Sequence, residues 1–142
     1  MKKTYYVMAA VALLFAACTN SKENQDKLKK DVIAKHDTLM MQMDVLMAKK
    51  EKLDSINYHA VKAGNAELDT LKMHMDADSI KSRLMRADEA MMHWMHQFEP
   101  DFSGKTDAQI EEYLKEQQNK IDSVEVLFKK AISQADSLLE RK

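Results

Sequence analysis

From Leu28 onward, Val32, Leu39, Leu46, Leu53 and Ala60 recur at intervals of seven, with His36, Met40, Met43 and Met47 beside them. That spacing puts both sets on one broad helical face and leaves Lys29, Lys30, Lys49, Glu51 and Lys52 mostly outside it. It predicts a first helix over 26–62. Gly64-Asn65 follows, a glycine suited to ending one helix and an asparagine suited to starting the next, so a reversal is expected there. The segment 66–98 carries a second stripe of Met73, Ala77, Ile80, Leu84, Ala87, Met91, Met95 and Phe98. Leu68, Leu71 and Met75 fall on the opposite side of that helix, in phase with the first. They leave open a boundary near Asp76 or Asp78, but that alternative would give one long helix largely unpaired, so 64–65 is preferred.

Glu99 to Lys105 contains Pro100, the only proline, and Gly104, one of two glycines, and reads as a loop. Thr106-Asp107-Ala108-Gln109 is a capping-box signature, in which Thr106 caps the third helical N–H and Gln109 reaches back. A third helix is expected over 106–140, with Ile110, Leu114, Ile121, Val124, Phe128, Ala131, Ala135 and Leu138 on its apolar stripe. Tyr113, Ile132 and Leu139 widen that stripe. Aromatic residues make up 6% of the chain, and the strong helix formers Leu, Met, Ala, Glu, Lys and Gln dominate. The expected fold is all-α, an antiparallel three-helix bundle of long, coiled-coil-like helices over 27–142.

Charge removes one class of function. The formal net charge is −1; without the first 17 residues, which hold Lys2 and Lys3 and no acids, 20 basic residues face 23 acidic ones. A nucleic-acid binder should show a basic stripe, so no nucleic-acid partner is expected.

The amino terminus has its own logic. Lys2 and Lys3 precede an apolar run from Tyr5 to Ala17, which is too short for a span of about 20 residues and fits a secretory signal over 1–17. Cys18, the only cysteine, follows at once. Leu14-Phe15-Ala16-Ala17-Cys18 resembles the bacterial lipoprotein signal, with Phe15 where Leu is usual. That resemblance implies a lipid on the Cys18 thiol, cleavage before it and attachment to a membrane. Thr19 is not the Asp associated with inner-membrane retention, so the outer membrane is the expected location, on its periplasmic or surface face. Residues 18–26 would then be the lipidated cysteine and a polar tether without apolar periodicity.

Three further stretches carry a second resemblance: His36-Asp37-Thr38-Leu39-Met40, then Ala87 through Phe98, then Tyr113-Leu114-Lys115-Glu116-Gln117. They are similar to small helical lipoproteins of the Bacteroidota that carry the transferred label viral A-type inclusion protein. The resemblance implies a helical envelope lipoprotein and brings no catalytic residue or ligand with it.

Candidate chemistry is confined to methionine and histidine. Ten of the twelve methionines and all five histidines lie beyond residue 17. Thioether and imidazole ligands suit copper, especially Cu(I). Glu89, His93 and His96 share a face of the second helix with Met92 nearby, and His36, Met40, Met43 and Met47 form the other candidate stripe. Methionine is also a flexible filler of helical cores, which is the ordinary reading of such a stripe. No phosphate-binding glycine loop and no nucleophile with a matching base is present, so no enzymatic activity is expected. The expected role is a structural or adaptor one, through a homo-oligomeric or helical protein partner, with exposed Leu68, Leu71 and Met75 as a candidate interaction face. Copper binding is the alternative; otherwise no cofactor is expected.

Overall fold

The computed structural model describes residues 2–63 and 68–140, with side chains described for 21–56 and 70–140. Three helices account for nearly all of it: α1 (Lys2–Ala63), α2 (Leu68–Gln97) and α3 (Asp107–Leu139). They pack pairwise into an all-α bundle, and no strand occurs among the described residues. The turn expected at Gly64-Asn65 lies outside the described residues. The alternative boundary near Asp76 or Asp78 does not occur, because α2 runs unbroken through both.

The direction of each helix follows from its cross-links. Lys35 pairs with Asp122 and Lys49 with Asp136, in both cases 87 residues apart, so α1 and α3 run parallel in a fixed register. Going up α2 means going down α1, since Lys81 reaches Asp54 while Trp94 reaches His36. The bundle is therefore antiparallel through α2.

The core is a heptad core. On α3 the buried residues are Leu114, Gln117, Ile121, Val124, Phe128, Ala131, Ala135 and Leu138, at strictly alternating spacings of three and four. On α2 the same alternation runs through Ala77, Ile80, Leu84, Ala87, Met91, Trp94 and Phe98, with Ile80 and Phe98 half-buried. Trp94, at 4% exposure, takes the seat expected for Met95, which is only half-buried. On α1 the seven-residue row of Val32, Leu39, Leu46 and Leu53 is fully buried. Side chains that repeat every seven residues on α1 and by alternating three and four on α2 and α3 keep one seam facing the shared axis, which is how such bundles fill their interior.

That α1 row continues one heptad earlier to Gln25, and here the structure corrects the expected tether. Residues 19–26 are helical, within a single helix of 62 residues. Only Lys22, Glu23 and Gln25 of these eight are good helix formers, but extending an existing helix avoids the nucleation step. Gln25 also gains fixed partners: its Nε2 donates to the Asp107 carbonyl (3.1 Å) and to Ser21 Oγ (3.2 Å).

The α2–α3 connection matches its sequence signals. Thr106 Oγ1 accepts from the Gln109 amide (3.4 Å), and Gln109 Oε1 accepts from the Thr106 amide (2.9 Å), completing the capping box. Gly104 has φ of 79°, the left-handed region that glycine enters without strain. The Asp101 carboxylate accepts from the Ser103 hydroxyl and amide, which hold it below its usual pKa.

Gln117 is the one polar side chain on the α3 core stripe. It is 2% exposed, and among the described residues its Oε1 has no hydrogen-bond partner. An unmet buried carbonyl is destabilising, so Gln117→Leu should stabilise the bundle by about 1–2 kcal/mol. A higher midpoint in urea unfolding, with an unchanged slope, is the expected result.

Candidate interaction surface

The end of the bundle near the α2–α3 loop carries a ladder of rings. Trp94 lies 5.7 Å from the His36 ring and 5.0 Å from Phe98, which lies 6.3 Å from Tyr113. Phe102 meets Tyr113 edge-on at 5.9 Å, and Lys29 sits over Phe102 with its Nζ 5.0 Å from the ring centre. Tyr113 OH accepts from the Glu99 amide (2.7 Å), tying the loop to α3. Members of all three stretches quoted above, one from each helix, thus converge in one stack. Its groups are mostly committed to one another, so it reads as a clasp for the loop.

The three seams between helices differ in chemistry. Between α1 and α3, Lys35 bridges Asp122 and Glu125, and Lys49 bridges Asp136. The Lys35 pKa is pushed up, first by its bond to Asp122, and the Glu125 carboxyl is held low, first by Lys129 and then by Lys35. Between α2 and α3, the grooves are lined by Asp76, Arg83, Arg86, Lys130 and Gln134. The α1/α2 seam has one ion pair, Lys81–Asp54 (2.7 Å), at one end among the described residues.

Away from that pair, the α1/α2 seam is lined by methionine. Ile33, Met40 and Met47 form a row seven residues apart on α1, each directly after a buried core residue, and Asp54 extends the same row. Because Asp54 pairs with Lys81, the row borders α2. Met85 and Met92 form the matching row on α2, on the edge that Lys81 begins. All five are partly exposed, between 37% and 43%. His36, Met43 and Met95 are half-buried along the same two helix edges.

The sequence-derived candidates divide accordingly. Met40, Met43, Met47 and Met92 come to this seam together with His36, whose Nδ1 lies 2.9 Å from the Asp37 carboxylate. Glu89, His93 and His96 are all exposed on α2, with Glu89 and His96 each four residues after a seam methionine, Met85 and Met92. Among the described residues no group of three or more His, Cys, Asp or Glu side chains is placed to hold a metal ion. Leu71 and Met75 are exposed, at 50% and 69%, while the Leu68 and Cys18 side chains lie outside the described ones. Sequence reasoning passed over Ile33 and Met85. Their signal was the seven-residue step to Met40 and to Met92, one position after the core rows. Compared with protein-family models, curated proteins and solved structures, the chain matches none.

Proposed function

We propose that this chain is a lipid-anchored adaptor of the cell envelope, held at the outer membrane through Cys18 and binding a helical protein partner, or a copy of itself, through faces of its bundle. No catalytic step is assigned to it. One observation carries the adaptor reading: a bundle whose core is already filled still leaves apolar residues in ordered rows on its surface, where an isolated bundle would gain solubility from polar ones. The anchor reading rests on the Lys2-Lys3, apolar run and Cys18 layout. The described residues contain no helix long and apolar enough to cross a membrane, so attachment needs another device. Acyl chains supply it, at about 0.8 kcal/mol for each methylene buried, and two or more hold a folded domain firmly.

The experiment is fractionation of cells expressing the full chain or its Cys18→Ser variant. The wild type should sediment with outer membranes and label with a fatty-acid analogue. The variant should lose the label and leave the outer-membrane fraction. Wild-type protein that takes no label would rule out the anchor. Photocrosslinking from position 71 or 75 in the same cells should give discrete protein adducts. No adduct from any exposed apolar position would rule out the adaptor role.

A further inference from the structure

We propose that the methionine-lined α1/α2 seam is a docking groove for a basic amphipathic helix of a partner protein, an assignment that rests on the adaptor reading and names its face and its partner's chemistry. The argument is the segregation of charge around the apolar rows. Four residues beyond Ile33, Met40 and Met47, one helical turn outward, stand Asp37, Asp44 and Glu51, all exposed. On the opposite edge, Asp88 is half-buried and Glu89 is exposed four residues after Met85. The only Lys or Arg between Ile33 and Met47 is Lys35, and it is turned to α3, where it bridges Asp122 and Glu125. The only Lys or Arg between Met85 and Met95 is Arg86, and it lines the α2/α3 groove with Arg83 and Lys130. Between Ile33 and Met47 the bases are thus turned away, and an apolar strip with acidic shoulders remains, closed at one end by Lys29 and Lys30 beside Ile33 and at the other by half-buried Lys50.

An occupant must match both features. A second copy presenting the same face would set acid against acid, and an anionic lipid surface would be repelled in the same way. A helix with an apolar stripe and flanking Lys or Arg meets thioethers with its stripe and carboxylates with its flanks, the helix-in-groove mode. Methionine side chains adapt to the shape of what they meet, so they suit a groove that receives another helix. Ile33 to Met47 spans roughly 21 Å at 1.5 Å per residue, or about four turns, which sets the length of the matching stripe.

The test uses the full chain in zwitterionic nanodiscs and a fluorescently labelled Leu/Lys amphipathic peptide of about 18 residues. Two control peptides have the same composition scrambled, or Glu in place of Lys. Anisotropy, corrected with empty nanodiscs, should show saturable binding of the Leu/Lys helix alone. Met40→Gln/Met92→Gln should weaken it by about tenfold or more, as loss of central anchors does. Asp37→Asn/Asp44→Asn/Glu89→Gln should weaken it similarly and flatten its salt dependence. Leu71→Gln/Met75→Gln, on a different face, should leave it unchanged. These are surface positions, and an unchanged circular dichroism spectrum checks that each variant folds. Binding that persists in both seam variants, equal binding of the scrambled or Glu peptide, or no saturable binding would overturn the assignment. Those outcomes leave the adaptor reading to its own test, since adducts at position 71 or 75 do not depend on this seam.

Discussion

Replacing Phe128 with alanine is expected to destabilise the bundle by about 3–5 kcal/mol, the range for truncating a fully buried aromatic. Phe128 has no exposed surface and is the largest of the fully buried side chains. The loss has two parts. One is the transfer free energy of the ring, and the other is the cavity it leaves, whose size depends on how far neighbours collapse into it. Collapse is poorly served here, because the next two α3 core positions are Ala131 and Ala135, whose methyl groups cannot swing into the space. Domains of this kind are stable by only about 5–15 kcal/mol in total, so this one change removes a large share. Phe128→Leu keeps most of the volume and should lose less than half as much. Urea unfolding followed by far-UV circular dichroism measures both, and equal midpoints for Phe128→Ala and wild type would show that the ring is not in a tightly packed core.

Trp94→Ala should have an effect of similar size, about 3–5 kcal/mol, but spread differently over the molecule. Trp94 touches the ring of His36 on α1 and stacks on Phe98, which leads to Tyr113 on α3 and from there to the loop. Its removal therefore takes the base out of the clasp as well as volume out of the core. Amide exchange in residues 98–106 should accelerate more than global stability alone explains, and Phe128→Ala should not produce that local excess. Trp94→Phe separates ring packing from the indole group. The indole N–H is buried without a hydrogen-bond partner among the described residues, so its loss offsets part of the lost packing, and the net change should be within about 1.5 kcal/mol. A large loss in Trp94→Phe would mean that the indole ring shape, and not aromatic bulk, sets the stack.

Much of this architecture was legible in the sequence because α1 and α3 write their heptads in apolar residues. Val32, Leu39, Leu46 and Leu53 keep an unbroken seven-residue row, whereas the row one position later, Ile33, Met40 and Met47, ends at Asp54, and the capping box at Thr106 is a purely local signal. The α2 stripe was less legible. Trp94 and Met95 are adjacent and both apolar, so periodicity alone allows either, and only His36 and Phe98 on the packed side favour Trp94. Gln117 was hidden because a polar residue leaves no mark on a hydrophobic pattern, although the seven-residue gap from Leu114 to Ile121 marks the missing seat. The direction of Lys35 and Arg86 could not be read at all. Each side chain can reach either side of its helix edge, and the acids that claim Lys35 lie on α3, more than 80 residues away in the chain.

The helical state of residues 19–26 alters how an anchored molecule would present its surface. A flexible tether would let the bundle tumble above the membrane, with every face sampling every direction. A continuous helix transmits both height and azimuth. An anchor at Cys18 would hold Met40 roughly 33 Å further along the same rod, at 1.5 Å per residue, and at a rotational phase fixed by the intervening turns. A partner would then meet the seam at a defined distance from the lipid surface and from a restricted set of angles. Inserting two residues near Asn24 would turn that bearing by about 200°, whereas inserting four would leave it within about 40°.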